Sequence, residues 1–174
     1  MRLVESVLFA ALVCGAPFHT LGAQSAQKYS IQASVLGEQF GGDAFTSGTP
    51  FGVGGEVQFR YTTRSGWSYG LGYQATEHNT SAGQYSGPFF EPRFTFVLRD
   101  NESLFPYLSG RFADLIVGNL YTYNAGGGVL VRLTQKVNLD VGATFGGAKY
   151  ELFGGTGAAG TNLIVRTGLS FGLR

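Results

Sequence analysis

The sequence predicts an all-β fold, an eight-stranded antiparallel up-and-down barrel, on three observations. Eight stretches alternate with period two, the pattern of a strand with two unlike faces. The connections between them alternate long and short. Glycine occurs 28 times and aromatics make up 14% of the chain, against an ordinary glycine usage of about 7%. No segment after residue 23 has the period of a long amphipathic helix.

The first strand is expected over Lys28–Leu36. The second, Phe51–Thr62, sets Phe51, Val53, Val57, Phe59 and Tyr61 against Gly52, Gly54, Glu56, Gln58, Arg60 and Thr62. The third, Trp67–Thr76, sets Trp67, Tyr69, Leu71 and Tyr73 against Ser68, Gly70, Gly72 and Gln74. The fourth, Phe89–Leu98, places Phe90, Phe94, Phe96 and Leu98 opposite Glu91, Arg93 and Thr95. The fifth, Leu104–Phe112, places Leu104, Leu108 and Phe112 opposite Tyr107, Ser109 and Arg111. The sixth spans Tyr121–Thr134, the seventh Val137–Gly146, and the eighth runs from Asn162 to the end.

Long connections are expected at Gly37–Pro50, Glu77–Pro88 and Gly147–Thr161, with a medium one at Ala113–Leu120. Short ones are expected at Thr63–Gly66, Arg99–Ser103 and Gln135–Lys136. In an up-and-down sheet this gathers the longer loops at one end, as transmembrane barrels do. The strands also have the ~9–11 residues that a tilted strand needs to cross a bilayer.

Three features turn the apolar face outward. The polar face is rich in glycine, which weakens a solvated strand but suits a narrow interior filled by alternating small and large groups. Aromatics collect near strand ends, as at membrane interfaces: Tyr29, Tyr61 and Trp67 at the short-turn end, and Phe51, Phe89, Phe90, Tyr121 and Tyr123 at the long-loop end. The polar face carries both signs of charge, Glu56, Glu91 and Asp140 among Arg60, Arg93, Arg111, Arg132 and Arg166. In a lumen these pair, as charges out of water must; facing lipid, each cation near the midplane would cost about 2–4 kcal/mol.

Residues 1–23 have the layout of a secretory signal peptide, leaving 24–174 as the barrel domain. Arg2 opens it, Val7–Val13 forms an apolar run too short to span a bilayer, and Leu21-Gly22-Ala23 offers a cleavage site. Cys14, the only cysteine, falls within it, so the mature chain has no disulfide or thiolate metal site. The formal net charge is +1, and no charge run suggests a nucleic-acid partner. No zinc spacing, phosphate loop or nucleotide motif appears, so no metal or cofactor is expected.

The whole mature chain resembles the small eight-stranded outer-membrane barrels of Gram-negative bacteria, the OmpA/OmpX-like group. Members typically end on a strand with polar–x–Gly–x–x–aromatic–x–hydrophobic spacing, read by the barrel-assembly machinery. "RTGLSFGL" supplies Arg166, Gly168, Phe171 and Leu173 in that spacing, with Arg174 following where the family often ends on the aromatic. The resemblance implies a monomer in outer-membrane lipid and lipopolysaccharide, delivered through the periplasm, with the assembly machinery as its partner.

The function expected is structural and non-enzymatic: a polar, plugged lumen in a protein serving envelope integrity, adhesion or resistance. Three alternatives stand beside it. A narrow pore would use the lumen charges. A lipid A-modifying enzyme would use Glu77, His78 and Ser81, although three loop neighbours seldom form a working triad. A secreted lipocalin-like barrel would bury its apolar face around a ligand.

Overall fold

The computed structural model describes residues 28–42, 51–78, 83–98, 103–150 and 159–173. The expected signal peptide lies outside the described residues. The chain forms β1 (Tyr29–Gly41), β2 (Phe51–Thr62), β3 (Trp67–His78), β4 (Gln84–Thr95), β5 (Leu104–Leu115), β6 (Leu120–Arg132), β7 (Val137–Tyr150) and β8 (Ala159–Leu173). Each pairs antiparallel with its sequence neighbour, and β1 pairs with β8 to close the barrel. Closure leaves no unpaired edge, the condition for a strand structure in lipid.

The register sorts side chains as the alternation requires. Val35, Val57, Phe59, Leu71, Leu108, Val141, Phe145 and Leu169 face outward and are exposed. Gln32, Glu56, Gln58, Gln74, Glu91, Arg111 and Asp140 face inward and are buried. The outward charges on the described strands are Glu77, Asp114 and Lys149, each near the long-loop end of its strand.

Several strands run further than the sequence pattern suggested. β1 continues from Leu36 to Gly41, β3 reaches His78, β4 begins at Gln84, β5 reaches Leu115 and β7 reaches Tyr150. Two stop early, β4 at Thr95 rather than Leu98 and β6 at Arg132 rather than Thr134. The strict long–short contrast is therefore corrected. The connections 79–83 and 116–119 are no longer than 96–103 at the other end, because much of each expected loop is strand. The common cause is an inversion of polarity inside the barrel. Near the long-loop end the lumen holds Phe40, Tyr85, Phe89, Ala113, Leu115, Leu120 and Ala148, a buried cluster with Tyr150 packed against it. With apolar side chains on the inner face, alternation no longer marks the strand.

Glycine acts in two ways, only one of them expected. Gly52, Gly70, Gly72 and Gly142 make room for lumen side chains, namely His78, Gln58 with Arg60, Phe89 and Tyr107. At Gly54, Gly126, Gly146 and Gly168 a Cβ would instead meet the backbone of the adjoining strand. These sites permit the tight curvature of a narrow barrel rather than filling space in it. The β4–β5 ladder pairs Phe90 with Phe112 and resumes at Arg93 with Ser109, passing over Pro92, which has no N–H to give.

Candidate functional site: the lumen

Glu91 on β4 is the hub of the lumen. Its Oε1 accepts from Arg60 Nη2 at 2.8 Å and Arg93 Nη2 at 2.9 Å. It also accepts from Arg166 Nη2 at 2.9 Å. Arg166 Nη1 and Arg111 Nη1 reach the other carboxylate oxygen, the latter at 3.4 Å. Arg93 bridges onward to Asp140 Oδ2 at 2.8 Å, and Tyr107 Oη donates to Asp140 Oδ1 at 2.6 Å. Arg111 pairs with Glu56 at 2.7 Å and donates to Gln74 Oε1 at 2.5 Å. Arg93 and Arg111 also lie over the Tyr107 and Phe89 rings, 3.8 and 3.7 Å from their centroids.

Four arginines thus meet three carboxylates drawn from β2, β4, β5, β7 and β8. Each charge is buried and each has an opposite charge within 4 Å. An unpaired ion here would cost several kcal/mol. The planar guanidinium suits this task because its fork of donors serves two acceptors at once.

A second polar group lies towards the long-loop end. Glu38, inward on β1, accepts from Thr76 Oγ1 at 2.7 Å and from Asn162 Nδ2 at 2.9 Å. His78 Nε2 stands 3.6 Å from the same carboxylate. Asn124 Nδ2 donates to Asn162 Oδ1. Phe40 and Tyr85 pack on the imidazole at centroid separations of 5.2 and 5.0 Å. The sequence reading assigned none of Glu38, Tyr107, Asn124 or Asn162 to the lumen charge network. Continuing the inward register of Gln32 and Ser34 past Leu36 would have found Glu38.

The candidate residues separate as follows. Glu56, Arg60, Glu91, Arg93, Arg111, Asp140 and Arg166 come together. Arg132 does not join them; it is half-buried, with its guanidinium 4.8 Å from the Phe105 ring centroid. Of the aromatic set, Tyr29, Phe51, Tyr61, Trp67, Tyr121 and Tyr123 stand exposed near strand ends. Phe89 is corrected: it is buried in the lumen, because adjacent Phe89 and Phe90 must face opposite sides. Phe90 faces outward but pairs with Leu71 in the middle of the wall. Of the C-terminal set, Phe171 and Leu173 face outward and pair with Ile31 and Tyr29. Gly168 faces inward against β1, and Arg166 is in the network.

His78 is corrected too. It is the last residue of β3 and is buried in the lumen, not solvated in a loop. Glu77 beside it points outward and is exposed, so these two cannot form the acid–base pair of a triad. Ser81 lies outside the described residues. Among the described residues no group of three or more His, Cys, Asp or Glu could hold a metal.

No family model matches the chain, and no curated protein matches it. Among solved structures it is similar to Neisserial surface protein A (NspA), with TM-score 0.62 and 14% identity over 84% of this chain and 97% of that one. It also aligns with the N-terminal β-barrel domain of Pseudomonas aeruginosa OprF, with TM-score 0.47 and 14% identity over 82% and 97%. The likeness is one of fold, and the fold of this chain is an eight-stranded closed antiparallel barrel.

Proposed function

We propose that the chain is an integral outer-membrane protein of a Gram-negative bacterium, non-enzymatic, with a lumen plugged by its own side chains. One observation carries this reading. Between the long-loop rim, with Glu77, Asp114 and Lys149, and the short-turn rim, the described outer wall is free of charge. A soluble protein rarely leaves an apolar patch beyond a few hundred Å², whereas a barrel wall in lipid requires one all round. The ion-pair network inside supports a plug, since eight strands leave an interior that side chains can fill. The polar lumen also disfavours a lipocalin-like carrier, whose apolar face would point inward.

The mechanism is architectural. Closure satisfies the backbone in lipid, buried ion pairs stand in for an apolar core, and the loops between β1–β2, β3–β4, β5–β6 and β7–β8 are presented outside. Membrane fractionation with heat-modifiable gel migration tests this directly. Recovery in the aqueous periplasmic fraction would overturn it. Planar-bilayer recording of purified protein is expected to show no channel above background, and steady ion conduction would refute the plug. Replacing His78 with Ala is expected to leave lipid A acylation unchanged by mass spectrometry.

A further inference from the structure

Three exposed cations stand on the short-turn rim. Lys28 precedes β1, Arg64 lies in the β2–β3 turn and Lys136 in the β6–β7 turn. In the closed order Lys28, at the start of β1, and Arg64, just past the end of β2, are neighbours, whereas the β6–β7 turn that carries Lys136 stands opposite the β2–β3 turn. Their backbones are tied to the barrel. Thr62 N donates to Lys28 O at 2.9 Å, and Gly172 N donates to Lys136 O at 2.8 Å. Both turns are held by their own threonines: Thr63 Oγ1 donates to Trp67 O at 2.9 Å, and Thr134 Oγ1 accepts from Lys136 N at 3.2 Å.

The described carboxylates lie elsewhere. Glu38, Glu56, Glu91 and Asp140 are in the lumen, and Glu77 and Asp114 stand near the long-loop rim. Asp100 and Glu102, with Arg99, fall in the sequence between β4 and β5, outside the described residues. Beside the cations the outer wall presents Tyr29, Tyr61, Trp67, Phe171 and Leu173, all exposed. The Lys28 ammonium lies 5.3 Å from the Tyr29 ring centroid. A pair of cations bordering an aromatic belt is the chemistry that holds a negatively charged headgroup while its acyl chains lie along the wall.

We infer that this stretch of the rim is a docking surface for anionic phospholipid in the leaflet around the short-turn end, with a phosphate-bearing headgroup held by Lys28 and Arg64. The inference rests on the membrane-wall reading above, and the two can fail separately.

Trp67 is the only tryptophan and stands on this rim, 45% exposed, at the start of β3 next to the turn of Arg64, so its fluorescence reports the lipids beside Lys28 and Arg64. Folded protein is placed in mixed phosphatidylcholine and phosphatidylglycerol vesicles with one lipid brominated at a time. Brominated phosphatidylglycerol is expected to quench Trp67 with a relative binding constant about fivefold above phosphatidylcholine. The preference should fall towards one as salt rises, and in the Lys28→Gln/Arg64→Gln variant, while Lys136→Gln, across the barrel from Trp67, should leave it unchanged. Equal quenching by the two lipids overturns the inference, as does a preference that survives both salt and the double substitution. Quenching by neither lipid overturns the membrane-wall reading itself. Heat-modifiable migration verifies that the variant is folded; if it is not, the salt series on the unsubstituted protein decides.

Discussion

Arg166 on β8 donates from Nη2 to Oε1 of Glu91 on β4 at 2.9 Å. In a closed order of eight strands, β4 and β8 are opposite each other. The pair is therefore a strut across the full width of the lumen. Arg60 and Arg93 converge on the same oxygen, so the strut is braced from β2 and from β4 itself.

Removing the hub charge should be severe. Glu91→Gln leaves four buried guanidinium groups around a neutral amide, and breaking a buried pair typically costs about 3–5 kcal/mol. The unfolding midpoint in detergent micelles, followed by gel shift, should drop accordingly. The exposed substitution Glu77→Gln serves as the control and should change little. Equal effects from the two would mean that the lumen charges do not support the fold.

Gly52 and His78 should be coupled. They pair across β2 and β3, and a Cβ at Gly52 would meet the imidazole. Gly52→Ala should cost about 1–3 kcal/mol through overpacking. In a His78→Ala background the same change should cost clearly less, giving a measurable interaction energy in a double-mutant cycle. Strict additivity would place the imidazole away from Gly52.

Curvature glycines should be less forgiving than outward ones. At Gly126 a Cβ would meet Ala143 O and Thr144 Cα, which are backbone atoms and cannot swing aside. At Gly55, which faces outward, the nearest atom is Ser34 O at 3.5 Å. Gly126→Ala should lower the yield of folded, heat-modifiable protein sharply, and Gly55→Ala should leave it near normal. The reverse order would contradict the curvature role.

Closure depends on the end of β8. Ile31 pairs with Phe171 and Tyr29 with Leu173. Deleting Phe171–Arg174 should block assembly into the outer membrane, measured as loss of the heat-modifiable form. Normal insertion of the truncated chain would count against closure through these residues.

Where the lumen is polar, the strands could be read from residue order alone. Phe51–Thr62 shows this best: its bounds and both faces follow from alternation between apolar and polar side chains. Legibility ends where the lumen becomes apolar. Leu36, Glu38 and Phe40 all point inward, so that stretch mixes polarity on one face and reads as a loop. Tyr85 and Phe89 hide the start of β4 in the same way. His78 was misplaced for this reason, because the end of β3 has the composition of a turn while its register continues into the barrel.

The sequence by itself determined the strand count, the antiparallel order and which face carries charge, since these are local properties of a chain with period two. Only the tertiary structure decided which charges meet. Glu91 is 75 residues from Arg166, and Asn162 is 124 residues from Glu38. Such pairs depend on the stagger and tilt that close the sheet, which no single strand encodes. The same closure separates the glycines that admit a side chain from those that admit a neighbouring backbone. It also leaves Arg132 outside the network that its position on the polar face suggested, because its strand carries it to the short-turn end beside Phe105.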